Sequence, residues 1–140
     1  MYIIIQNLKM ERKIVATGAF LGMLAIIFGA FGAHALKKVL NLDQISTFET
    51  GVKYQMYHAL FLLFIGLSSI SQKAKKTIFY LVVFGVLLFS GSIYFLATMS
   101  ITHINFKTIG IVTPIGGLLL ILAWGVLFMN ILKNNSQNLD

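Results

Sequence analysis

The sequence predicts an all-α membrane protein of four transmembrane helices, with a short amphipathic interfacial helix between the first and second. Three observations carry that reading. Of 140 residues, 58% are hydrophobic and 11% charged, and the mean hydropathy is +0.88, whereas a soluble domain carries about a quarter charged residues. Four apolar stretches approach the roughly 20 residues that cross a hydrocarbon core of about 30 Å. The Lys and Arg stand between or beside these stretches, where basic residues set topology, so the net charge of +7 points to membrane surfaces and not to nucleic acid. The chain has no cysteine, which excludes disulfides, thiolate zinc sites and iron–sulfur clusters.

The first span, Ile14 to Ala33, holds no charge and follows Glu11, Arg12 and Lys13. Ala33-His34-Ala35 fits a leader-peptidase site, but the apolar stretch exceeds the roughly 7 to 15 residues of a signal peptide, so it is expected to stay as a helix. Met10 would serve as a start as well as Met1. Leu36, Val39 and Leu40 with Lys37 and Lys38 read as an interfacial continuation. Ser46 and Glu49 fit a capping box, with Asp43 as an alternative N-cap. Ile45, Phe48 and Val52 then form one apolar face, predicting a surface helix that turns into span two, with Tyr54 and Tyr57 marking the interface. Spans two, three and four are expected at Tyr54 to Ile70, Thr77 to Ile101 and Thr108 to Leu132. Residues 1–13 form an N-terminal cytoplasmic segment, 14–132 a single domain, and 133–140 a polar, frayed tail.

Four spans place both termini on one side. Seven basic residues, Lys9, Arg12, Lys13, Lys73, Lys75, Lys76 and Lys133, share that side, against Lys37, Lys38, Lys53 and Lys107 on the other. The excess orients both termini toward the cytoplasm of a multi-pass membrane protein.

Gly18, Gly22, Ala25, Gly29 and Gly32 form an unbroken small-residue stripe on one face of span one. Helices in lipid associate by close backbone approach, so this stripe is expected to pack another helix of the chain or, alternatively, a second copy. Gly85 with Ser92 and Gly110 with Gly117 repeat the device at seven-residue spacing.

No Asp or Glu falls in a span, which argues against a proton pump or cation antiporter. No phosphate-loop, dinucleotide-fold, nucleophile-elbow or zincin motif is present, so no catalytic residue and no metal ligand set is predicted. What remains is a set of polar groups expected near the face opposite the termini: His34, His58, Ser90, Ser92, Tyr94, Thr113, Gly116 and Gly117. Thr113 and Pro114 read as a helix start, with the amides of Gly116 and Gly117 suited to an anionic headgroup or carboxylate. Two neutral imidazoles, His34 and His58, could ligate a haem or a transition metal, although the chain offers few carboxylates to orient them. Each group also has a plain structural use, from a satisfied histidine to a serine bonding its own helix. His103 reads as a solvated loop residue beside Asn105 and Lys107.

Four ordered motifs carry a resemblance: Gly29-Ala30-Phe31-Gly32-Ala33-His34-Ala35-Leu36; Phe48 and Gly51 followed by Tyr54-Gln55 and Tyr57-His58-Ala59-Leu60; Phe89-Ser90-Gly91-Ser92-x-Tyr94; and Thr113-Pro114-Ile115-Gly116-Gly117 with Trp124-Gly125. Over roughly Glu11 to Leu132 the chain resembles the YgdD-like family of small inner-membrane proteins. The resemblance implies a multi-span bacterial membrane protein and supplies no mechanism. Two function classes follow. The first is a non-enzymatic module that binds membrane lipids, a second copy or a membrane-protein partner. The second is a small-molecule or cofactor subunit, or a minimal transporter, built on the polar pocket.

Overall fold

The computed structural model describes residues 2–102 and 107–136, and every regular element among them is helical. His103 and Asn105 lie outside the described residues. In chain order come α1 (Tyr2–His34), a 3-10 turn (Leu36–Lys38), α2 (Leu42–Leu67), α3 (Gln72–Ala97), the single turn α4 (Met99–Thr102), a 3-10 segment (Lys107–Ile111) and α5 (Val112–Ser136).

Among the described residues three helices are long and apolar enough to cross a membrane: Ile5–Lys38, Gln72–Ala97 and Ile109–Lys133. The fourth expected span differs. α2 has 26 residues, yet only Tyr54 to Leu67 is apolar in character, because Asp43, Gln44, Ser46, Thr47, Glu49, Thr50 and Lys53 occupy its first half.

The amphipathic stretch ahead of span two is the first half of α2 and no separate helix. Its cap is one turn earlier than expected. Asn41 accepts from the Gln44 amide (2.9 Å) and the Gln44 side chain accepts from the Asn41 amide (3.0 Å), a reciprocal box that starts the helix at Leu42. Ser46 and Glu49 therefore fall inside the helix, where Glu49 pairs with Lys53 at 3.7 Å. The apolar face works inside the chain: Phe48 is buried with Leu36, Leu40 and Ala97, and Phe28, Ile45, Val52 and Tyr94 pack around them.

α2 ends at Ser68, whose amide donates to the Phe64 carbonyl, and Ser71 caps α3 by accepting from the Ala74 amide. Span three thus starts and ends earlier than expected. α5 begins at Val112 and not at Pro114, because the 3-10 segment runs straight into it. Pro114 sits in the first turn, where no intrahelical partner awaits its missing N–H. The helix continues to Ser136, and residues 137–140 of the expected tail lie outside the described residues.

α2 runs antiparallel beside α1. Gly18 faces Ala59 and Leu62, Gly32 faces Phe48, and Gly66 faces Val15. α3 and α5 pair likewise, through Gly85 against Leu120 and Gly116 against Leu88 and Phe89. α2 and α3 join the two pairs, and Ile14, Leu62, Ile65, Ile78 and Val82 form the fully buried centre.

Candidate functional site

In a low-dielectric interior every polar side chain needs a partner, so a folded arrangement shows which groups are free to do chemistry. Gln55 is 4% exposed and joins three helices. Its Nε2 donates to the Leu21 carbonyl of α1 (2.9 Å), and its Oε1 accepts from the Tyr94 hydroxyl of α3 (2.9 Å). The Tyr94 ring is held by Phe28 at 5.1 Å and Phe48 at 4.9 Å between ring centroids.

His58 is buried one turn further along α2. Its Nδ1 lies 2.8 Å from the Tyr54 carbonyl, which can only accept, so the proton sits on Nδ1. Its Nε2 then accepts from the Trp124 indole N–H of α5 across a long 3.4 Å. Trp124 in turn stacks on Phe61 with centroids 4.1 Å apart. Both ring nitrogens are thus used inside the chain, and a metal or haem iron at Nε2 would have to displace the indole. Toward the α4 end, the Ser92 and Thr113 hydroxyls lie 2.7 Å apart, and Ser92 also donates to the Phe89 carbonyl (2.9 Å).

Other expected members of the site stand apart. His34 is exposed at the end of α1. His58 belongs to the level of Gly22, whose nearest neighbours are Ala59 and Met56. Twelve residues of helix, about 18 Å, therefore separate the two histidines along the axis, so they do not form one ligand pair. Gly116 and Gly117 lie beyond the first turn of α5, where helix amides have acceptors of their own. Gly116 presses on the Leu88–Phe89 backbone, and a Cβ added at Gly117 would lie 3.5 Å from the Phe89 ring. Their role is close packing, not an open anion cradle. Ser90 lies one turn from Tyr94 on the same helix face, is 1% exposed, and its Oγ has no hydrogen-bond partner.

The small-residue stripe is shared out within the chain. Gly18, Gly22, Gly29 and Gly32 all meet α2, at Ala59, Ala59, Val52 and Phe48, and Ala25 is buried.

Polar contributors left out of the expected site are Gln55 and Trp124, which stand in the family motifs without a role, and the pair Glu11–Lys75. Lys75 is buried in α3. Its Nζ donates to Glu11 of α1 at 2.6 Å and to the Gly66 carbonyl at 3.3 Å, and Gln72 donates to the same Glu11 oxygen at 2.8 Å. An amide such as Gln55 in an apolar stretch is the available signal, because a polar side chain in lipid implies a partner on another helix. Among the described residues, no group of three or more His, Asp or Glu could hold a metal ion.

The family described as protein of unknown function (DUF423) matches residues 28–117. The chain is 42% identical over 123 residues to a UPF0382 membrane protein of Staphylococcus epidermidis, covering 87% of this chain and 97% of that one. It is 37% identical over 118 residues to the UPF0382 membrane protein YwdK of Bacillus subtilis, covering 81% and 90%. It is 31% identical over 127 residues to the UPF0382 inner membrane protein YgdD of Escherichia coli, covering 88% and 92%. No solved structure matches the chain.

Proposed function

The chain belongs to the DUF423 family of membrane proteins, and from that premise we propose a four-span, non-enzymatic protein of the bacterial cytoplasmic membrane that binds a lipid or protein partner on its outer helix faces. Both termini lie in the cytoplasm in this reading. The observation that carries it is the closure of the interior: Gln55, His58, Tyr94, Ser92 and Thr113 bond one another or nearby groups of the chain. A partner then finds its contacts outside.

Support for a fourth crossing comes from the course of α2 beside α1. It accompanies α1 from Phe48 at Gly32 to Gly66 at Val15, 18 residues or about 27 Å, close to the thickness of a hydrocarbon core of about 30 Å. Gln55 and His58 lower its hydropathy, yet both are buried. The absence of cysteine makes orientation directly testable. Single cysteines introduced at Gln6, Asn105 and Asn134 should react with an impermeant maleimide on intact cells at residue 105 alone. Labelling at 6 or 134 would overturn the orientation.

A second reading, a small-molecule or cofactor site among His58, Ser90, Tyr94 and Thr113, draws its support from the unpartnered Ser90 hydroxyl. Native mass spectrometry of gently solubilised wild type beside His58→Ala decides between the two. No His58-dependent mass is expected. A bound mass lost in the variant would replace the first reading by the second.

A further inference from the structure

Between α3 and α5, at the end where α5 finishes, runs an open groove of about 860 Å³. Its wall on α5 is Leu122, Val126 and Met129, and Lys133 and Lys73 stand at its mouth. From Leu122 to Lys133 the helix rises 11 residues, about 16 Å, half of a core of about 30 Å. The groove therefore has the depth of one leaflet, apolar along its length and cationic at the end.

Among the described residues the charges at the mouth are of one sign and have no acidic partner. Lys75 is buried against Glu11, and Lys53 pairs with Glu49. Lys73 and Lys133 are exposed and make no ion pair among the described residues, and no Asp or Glu lines the groove. The rim is closed by Asn130, whose Nδ2 donates to Ser71 Oγ at 3.0 Å, so α3 and α5 are tied together there. Midway, Gly125 leaves the helix surface bare: a Cβ added to it would meet nothing within 4 Å.

We propose that the groove between α3 and α5 holds one anionic phospholipid, its acyl chain along Leu122, Val126 and Met129 and its phosphate at Lys73 and Lys133. Basic pockets between spanning helices on the cytoplasmic side select anionic headgroups. A zwitterionic lipid would bring its own ammonium to the same two lysines, and a second copy of this basic chain would add further positive charge. The proposal rests on the spanning arrangement proposed above. A failure of that arrangement shows in cysteine labelling, and a failure of the lipid site shows only in the comparison that follows.

The test is native mass spectrometry of the full chain in mild detergent, titrated with phosphatidylglycerol or phosphatidylethanolamine of identical acyl chains. Wild type should retain one phosphatidylglycerol at about tenfold lower lipid concentration than phosphatidylethanolamine, the order expected of two lysines at a headgroup. Lys73→Gln with Lys133→Gln should abolish that preference. Lys9→Gln with Lys13→Gln, equal in charge removed, should keep it, as should His58→Ala. Gly125→Phe, which has room to fold, should lose the adduct with either lipid. Equal retention of both lipids by wild type would overturn the proposal. So would an equal loss in the two lysine pairs, or a dimer in place of the adduct. If Gly125→Phe does not fold by circular dichroism, the two lysine pairs decide alone.

Discussion

The helix pairs α1/α2 and α3/α5 reach the same close approach by different sequence devices. In the first pair most of the small surface lies on one helix: Gly18, Gly22, Gly29 and Gly32 all present to α2, which returns Gly66 against Val15. In the second pair Gly85 of α3 and Gly116 of α5 make the tight contacts, with Gly117 beside them against Phe89, and the two tight contacts adjoin, since a Cβ on Gly85 would lie 3.3 Å from the Gly116 carbonyl. Shared spacing along one helix gives redundancy, whereas a single crossing point gives none. Between the pairs the fastening changes character. α1 meets α3 through Glu11 and Lys75, and α2 meets its neighbours through Gln55 and His58. The tightest approaches within the pairs are at glycines, whereas the contacts between the pairs combine these polar groups with Gly51 against Ile93 and Tyr94.

The largest effect is expected where a charge joins the pairs. Glu11→Gln leaves the Lys75 ammonium, whose side chain is 3% exposed, without its counter-charge, its second hydrogen bond being to the Gly66 carbonyl at 3.3 Å. Breaking a buried pair by removing one partner costs about 3–5 kcal/mol, and thermal unfolding in detergent should show a loss near the lower end. Lys75→Met should cost clearly less, because the Glu11 side chain is 30% exposed and can be hydrated. The double variant should recover most of the loss. Equal losses in the two single variants would remove the bridge from the comparison.

Next comes the crossing point itself. A Cβ at Gly116 would fall on the Phe89 amide nitrogen and the Leu88 carbonyl carbon, and backbone cannot rotate away as a side chain can. Gly116→Ala should cost about 3 kcal/mol, the upper end for overpacking. Gly18→Ala meets the Ala59 carbonyl oxygen at 2.9 Å and Leu62 Cβ at 3.1 Å. With three more glycines along the same seam to share a small shift, a loss of roughly 1–2 kcal/mol is expected. Should Gly18→Ala match Gly116→Ala, the redundancy of the first pair is refuted.

A smaller step separates the polar joint from its aromatic surroundings. Tyr94→Phe removes the hydroxyl that donates to Gln55 Oε1 while keeping the ring against Phe28 and Phe48. The loss should be about 1 kcal/mol, typical of interhelical hydrogen bonds in membranes, measured by the same unfolding transition. Gln55→Leu should exceed it, since that change also leaves the Tyr94 hydroxyl without its acceptor.

How far the chain could be read in advance follows from the same contrast. The α1 stripe is legible because its period belongs to one helix, and its partner α2 follows from the short connection. The Gly85–Gly116 crossing is not, because two glycines 31 positions apart become neighbours only through folding. The class of the fold follows from composition, but α2, read as a span, is less apolar than the other three because it carries polar residues, among them Gln55, which turns inward to Leu21 and Tyr94. The candidate site fares similarly. Ser92 meets Thr113 on the α5 side of α3, whereas Tyr94 reaches Gln55 on the α2 side, and His34 and His58 are set apart by helix rise, a quantity fixed only when the α1/α2 register is known. Lys75 reads as one of several topology-setting lysines. Its burial depends on Glu11, 64 positions earlier, which no local pattern announces.

The smallest expected effect falls within the stripe and separates packing from association. A Cβ at Gly22 would sit 3.7 Å from Ala59 Cβ, an ordinary contact, so Gly22→Ala should change stability by no more than about 0.5 kcal/mol, with the gain in helix propensity offsetting any crowding. Gly22 also lines a shallow apolar groove of about 460 Å³ with Met23, Met56 and Leu60. Gly22→Leu can extend into that groove, so it should fold yet disturb any partner seated there. Oligomeric state and co-purifying proteins, compared between Gly22→Ala and Gly22→Leu, make the distinction. Loss of an association in the leucine variant alone assigns this edge of the stripe to a partner. Identical behaviour of both variants leaves the stripe wholly to α2, and the first helix pair then differs from the second only in how many glycines share one seam.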